Sequence, residues 1–415
     1  MAGTSAPARQ PIRRSLIGLI AIAIAALAIL VASQIGTLFP GPAAGATSTP
    51  GAAGSPAPSS VAVEPSPAAS PTESQPAPEE TPVLVPAPLT GVLVSPEVAA
   101  QHPIAVMVDD QFYARPQSGF NAASIVWHAP AEGGIPRYML IFQDQVAADI
   151  GPVRSSRMYY IQWAAEWTSL YVHAGGSPQA IRKLAAKGHG EWVWNADQFR
   201  WGTGASSCSG IQSCYLWRVT DRFSPHNVYT DGKHLRRLAE RVGAADEPIE
   251  PAWTFGPDTA PELRPDRGLI RVNFPDVTIT YRYDPASNSY LRYVGVAKQP
   301  QVDPADGQVV APKNVVILRM AFGALRDNQR HGRLEAHNIG HGEAWISTGG
   351  VTVKGEWRKK SSTAPTLLFG PDGAPISLTA GQTFFEVIQT SYTFRVRDGG
   401  PAASIAPRFL GLVWP

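Results

Sequence analysis

Residues Leu170–Lys187 read LYVHAGGSPQAIRKLAAK, and the stretch sets a strand, a turn and a helix in succession. Leu170-Tyr-Val-His173 is a short apolar run, and Gly175-Gly176 breaks it. Ser177 suits the N-cap of the following helix. Pro178 suits its first position, where a missing N–H is no loss, and Gly188 marks the stop. A strand that passes through a glycine turn into a helix is the building unit of α/β sheets.

The same alternation extends outward. Ile104–Val108 is an apolar strand ending in Asp109-Asp110, and 124–128 and 138–142 have the composition of further strands. Met158–Trp167 has the spacing of an amphipathic helix, and Lys233–Val242 that of a later one. The stretch 246–268 is acidic and rich in proline, which predicts a domain boundary. Beyond it, Thr278–Tyr283 and Tyr290–Tyr293 flank Asp284-Pro-Ala-Ser-Asn288 as a hairpin. Strands are also predicted at 315–320, 344–347, 351–357 and 383–388. The expected fold class is α/β, with a layered α/β domain over 89–262, a smaller mostly-β domain over 263–397 and a tail over 398–415.

Upstream, Leu16–Phe39 carries no charge. At about 1.5 Å per residue it would make a helix of roughly 36 Å, enough to cross a bilayer core. Arg9, Arg13 and Arg14 precede it, so residues 1–15 are expected in the cytoplasm and the folded part outside, in the cell envelope. The rival, a cleaved signal peptide ending at Ala43-Ala44-Gly45-Ala46, requires an unusually long apolar region. Residues 40–88 are mostly Ala, Pro, Ser, Thr and Gly, the composition of a disordered linker.

With 35 Lys and Arg against 33 Asp and Glu, the net charge of +2 gives no support for a nucleic-acid partner. Two cysteines exclude a cysteine-rich zinc module and a disulfide-dense miniprotein. Outside the cytoplasm, Cys208 and Cys214 are expected to pair as a disulfide. A metal or redox role would need a flanking histidine, which is missing.

The densest polar cluster runs through Asp109, Asp110, Arg115, His128, Glu132, Arg137, Arg154, Arg157, His173, Gly175, Gly176 and Ser177. Asp109 and His173 directly follow apolar strands, whose carboxyl ends collect ligands in α/β sheets. The Gly-Gly-Ser turn opens a helix, whose N-terminus favours anions. Arg154 and Arg157 add forked donors for carboxylate or phosphate. An anionic ligand site is the expectation, beside the plainer one that Ser177 is a helix cap and the arginines fasten loops. No nucleophile elbow surrounds Ser177, and no spacing singles out a metal site or a cofactor. The aromatic residues Tyr281, Tyr283, Tyr290, Tyr293, Trp345 and Trp357 are expected to form cross-strand core pairs.

The runs PIAVMVDD, ARPQSGFNAASIVWHAPAEGGIPRYMLIFQ, IGPVRSSRMYYIQWA and LYVHAGGSPQAI resemble the bacterial envelope family known as domain of unknown function 3048. PKNVVIL, GEAWISTGGVTVKGEWRKKSSTAPTLLF and GPDGAPISLTAGQTFFEVI extend the resemblance into that family's second domain. The resemblance implies an α/β domain, a smaller β-rich domain and an extracytoplasmic address, and no established reaction. Many family members are lipoproteins. This chain has no cysteine beside its apolar segment to accept a lipid, and Leu16–Phe39 would anchor it instead. The expected function is binding of an anionic cell-wall component or an envelope partner protein, in preference to catalysis. The alternatives are a hydrolase or transferase on envelope polymers, with Asp109, Asp110 or Glu132 as acid or base, and an envelope scaffold.

Overall fold

The computed structural model describes residues 82–399 apart from 205–207, 209–213 and 328–330. The first part supplies β1 (Ile104–Asp109), β2 (Ile125–Glu132), β3 (Ile135–Phe142), β4 (Leu170–His173) and β5 (Trp194–Asp197). The second supplies β6 (Gly268–Asn273), β7 (Thr278–Asp284), β8 (Ser289–Val294), β9 (Asn314–Met320) and β10 (Gly340–Thr348). It ends with β11 (Val351–Lys359), β12 (Leu367–Phe369), β13 (Thr383–Gln389) and β14 (Phe394–Asp398). The main helices are α1 (Met158–Ala164), α2 (Pro178–Lys187) and α3 (Gly232–Val242).

Ten strands form one sheet in the order β12-β11-β10-β9-β13-β2-β3-β1-β4-β5. β13 lies parallel to both β9 and β2, and β4 lies parallel to both β1 and β5. Side chains alternate between the two faces, as the pleat requires. Val106, Val126, Leu140, Val315 and Phe384 point to one face, and Met107, Trp127, Ile141, Val316 and Phe385 to the other. The first face packs against α3 and the four-stranded sheet β8-β7-β6-β14, through Leu235, Leu238, Ile279 and Tyr281. The second packs against α1 and α2, where Trp163 stacks on Trp127 at 4.5 Å and Trp127 on Phe385 at 4.3 Å. At about 25 cal/mol per Å² of apolar area, these two faces dominate the stabilisation of the fold.

The result is a mixed α/β structure with mostly strands and few helices. The sequence places β9–β13 in a smaller β domain beyond 246–268, yet these strands extend the sheet begun by β1–β5. Thr383 pairs with Ile125, and Glu386 with His128. Local pattern identifies a strand but not its partner, so this continuity is not visible in the sequence.

Of the linker expected over 40–88, residues 40–81 lie outside the described residues, and its last residues are ordered into the fold. Val85–Pro86 pairs with Leu93–Val94, and Ala87 is buried. β14 reaches into the expected tail, to Asp398. Among the described residues no helix is long and apolar enough to cross a membrane. Leu16–Phe39 lies outside the described residues. Cys208 and Cys214 are disulfide-bonded, with Cα atoms 5.1 Å apart.

Candidate functional site

The parallel strands β1, β2, β4 and β5 end at Asp109, Glu132, His173 and Asp197, so their carboxyl ends gather polar groups at one edge. After β3 the chain returns to this edge. Val153 bridges to Val108, Asp109 N donates to Pro152 O, and Arg154 N donates to Met107 O. This return holds Arg154 and Arg157 against the strand ends.

Arg154 Nε lies 3.0 Å from Asp109 Oδ2, and His226 Nδ1 lies 2.8 Å from the same oxygen. Asp109 is buried, while the Arg154 side chain keeps 24% of its surface in solvent. Glu132 is the centre of a larger group. Arg137 Nη2 contacts its Oε2 at 2.8 Å, Arg157 contacts its Oε1, and Arg333 Nε is 3.4 Å from Oε1. Arg137 also donates to Ser155 O at 2.9 Å, which ties this group to the Arg154–Arg157 segment.

The electrostatics show how crowded this positive charge is. Burial, then the like charge of Arg137, pulls Arg157 down to about 10 despite Glu132. Burial likewise lowers Arg154, with Asp109 opposing. Burial would raise Glu132, but Arg137, Arg157, Arg333 and Arg154 together hold it below the usual carboxylate value. The Arg157 Nε is buried and has no acceptor among the described residues.

Asp110 and Arg115 face inward from this edge. Arg115 Nε and Gln117 Nε2 donate to Asp110 Oδ1 at 3.0 and 2.8 Å. Asp110 Oδ2 lies 3.1 Å from His128 Nε2, and His128 Nδ1 lies 2.7 Å from Glu386 Oε2. Tyr281 donates to Glu386 Oε1 at 2.7 Å. Burial alone would push His128 down, but Glu386 and Asp110 outweigh it and raise its affinity for a proton. Asp110, His128 and Glu386 are sealed from solvent, as is Tyr281, which reaches Glu386 from β7 of the four-stranded sheet.

The remaining expected residues are occupied within the protein. His173 Nδ1 and Nε2 lie 2.8 Å from Gly175 O and 2.7 Å from Asn195 Oδ1. Gly175 N donates to Asp197 Oδ1, at a φ of +69° that favours glycine. Gly176 packs against Ser156. Ser177 Oγ accepts from Ala180 N at 3.3 Å, the N-cap bond of α2.

The edge therefore brings together Asp109, Glu132, Arg137, Arg154 and Arg157. Asp110 and Arg115 lie behind it, and His173, Gly175, Gly176 and Ser177 build the start of α2. His226 and Arg333 join the edge without a sequence signal, since both come from irregular segments far along the chain. Among the described residues no group of three or more His, Cys, Asp or Glu is placed to hold a metal ion.

Two family models match this chain. "Protein of unknown function (DUF3048) N-terminal domain" matches residues 89–245, and the C-terminal domain of the same family matches 270–385. A relative in Bacillus subtilis (strain 168), named "Putative lipoprotein YerB", is 28% identical over 309 residues, spanning 73% of this chain and 86% of its own. The crystal structure of the YerB protein from Bacillus subtilis is similar in fold. Its TM-score is 0.63 at 24% identity, and the match covers 75% of this chain and 99% of that one. The chain belongs to the DUF3048 family and carries both of its domains.

Proposed function

We propose that this chain is an extracytoplasmic envelope protein, held to the membrane through Leu16–Phe39, that binds an anionic wall component or an acidic partner at the arginine edge. The observation that carries this reading is the convergence of Arg137, Arg157 and Arg333 on the single carboxylate of Glu132, with Arg154 beside them on Asp109. Arg154 and Arg157, whose proton affinity burial lowers, gain most from a further anion. The lipoprotein name of the Bacillus subtilis relative supports the envelope address.

The test is co-sedimentation of the detergent-solubilised full chain with isolated anionic wall polymers. Arg154→Ala removes a partly exposed donor and leaves the buried Arg157 in place. One lost charged hydrogen bond of about 1.5–3 kcal/mol weakens binding by roughly 10- to 100-fold. Wild-type affinity in this variant would sink the proposal.

A second reading, an acid–base enzyme acting on the same polymers, has one observation in its favour. Asp109 holds His226 Nδ1, an arrangement that fixes a tautomer with Nε2 as the basic nitrogen. It requires that His226→Gln abolish turnover of a bound polymer while leaving binding intact.

A further inference from the structure

Phe112, Tyr113, Phe199 and Phe223 are 58–68% exposed, and they are the exposed aromatic side chains of the described residues. All four border the arginine edge. The Tyr113 ring lies 5.4 Å from both Phe112 and Phe223, and Phe223 lies 5.4 Å from the His226 ring. His226 and Arg154 share Asp109 Oδ2, so the ridge continues into the arginine edge without a gap. Phe199 packs against Gly175, whose carbonyl accepts from Ser156 N, two residues beyond Arg154.

The ridge is braced. Arg222 donates to Ala114 O and Pro116 O, both at 2.9 Å, and so fastens the loop bearing Phe223 to the loop bearing Phe112 and Tyr113. Large exposed apolar groups gathered in one place mark a contact surface. Here they are aromatic rings beside a bonded Asp–His pair and an arginine. That combination offers flat apolar faces and hydrogen-bonding groups within a few ångströms of each other.

We propose that this ridge stacks the sugar rings of an acidic glycan, whose carboxylate or phosphate substituent reaches Arg154. The inference rests on the anion-binding reading above and names its ligand class. A pyranose presents C–H groups on its faces, which suit aromatic rings, and hydroxyls at its rim, which suit the partly exposed Arg154 that Asp109 holds in place. An anionic bilayer is the weaker match. Arg200 and Arg222 stand among the same loops as Asp197, Asp221 and Asp276, a rim of mixed sign in place of the broad basic surface that an anionic bilayer needs, whereas a single anionic substituent needs only Arg154.

The test uses the detergent-solubilised full chain with three probes: soluble acidic peptidoglycan fragments, inorganic polyphosphate and phosphatidylglycerol vesicles. The variants are Phe112→Ser/Tyr113→Ser/Phe223→Ser and Arg154→Ala. Because the rings are exposed, the triple variant should melt with the wild type, and Phe112→Ser alone replaces it if it does not. The expected result is a tenfold or greater loss of glycan affinity in the ridge variant, with polyphosphate affinity within twofold of wild type. Arg154→Ala should weaken both. Unchanged glycan affinity in the ridge variant overturns this inference and leaves the anion-binding reading standing. Loss of vesicle binding in place of glycan binding identifies a membrane surface and overturns it too. Wild-type protein that binds neither glycan nor polyphosphate overturns both readings.

Discussion

His128 is the residue with the most at stake in the buried network. It sits fully buried between Asp110 and Glu386, and its proton affinity is raised, while that of Asp110 is lowered. A raised histidine contributes stability that is full below its unfolded value of about 6.5 and fades as pH rises through the higher folded value. For Asp110, burial works to raise the carboxyl, but His128 and Arg115 outweigh it. Its contribution is present above about 3.9 and is lost as pH falls through the lower folded value. Chemical denaturation against pH should therefore find stability highest between about pH 4 and 6.5. In Glu386→Gln the decline on the alkaline side should shrink, and an unchanged profile would remove His128 from the account. Glu166 and Lys359 form a second buried pair at 2.8 Å, joining the helical layer to β11. Burial raises Glu166 and lowers Lys359, so desolvation leads in both. Lys359→Met leaves the Glu166 carboxylate uncompensated and should cost about 3–5 kcal/mol in a denaturant titration. A loss below about 1 kcal/mol would show that the pair carries little of the stability.

At the scale of elements, α2 separates the capping role of Ser177 from a ligand role. Ser177→Ala deletes the bond to Ala180 N and should destabilise the protein by about 1 kcal/mol without changing anion affinity. A loss of affinity at unchanged stability would reassign Ser177 to the ligand. This helix is legible to the residue because its signals, Ser177, Pro178 and Gly188, are all local. The strands β1 and β4 are legible for the same reason, as apolar runs ending in polar residues. β5, Trp194-Asn-Ala-Asp197, alternates over four residues only and holds no β-branched side chain, too short a pattern to single out, and its pairing with β4 makes it a strand. The site divides along the same line. Asp109, Arg154 and Arg157 are readable as polar groups at strand ends and a helix start. His226 lies in Ser-Pro-His-Asn, where no period exists, and only the fold brings it to Asp109. Glu386 reads as an ordinary residue of an apolar strand, and its burial beside His128 depends on register across distant strands.

For the whole molecule, the ten-stranded sheet binds together the two segments that the family describes as separate domains. A fragment ending at residue 262 would expose the edge of β2, strip Tyr281 and Glu386 from His128, and leave one sheet face uncovered. It should show no cooperative thermal transition, whereas a sharp melt of that fragment would establish two independent folding units. The same continuity sets the arginine edge on a rigid support, since Glu132 ends a strand paired on both sides. Glu132 and Arg137 thus sit on paired strands and the segment bearing Arg154 is bonded to β1, which favours recognition by fixed geometry. The most direct test of this account is a titration of the full chain with inorganic polyphosphate at low and at high salt. The account predicts binding that weakens as salt screens the partly exposed Arg154, and that falls at least tenfold in Arg154→Ala at an unchanged melting temperature. Affinity indifferent to both salt and Arg154 would contradict it.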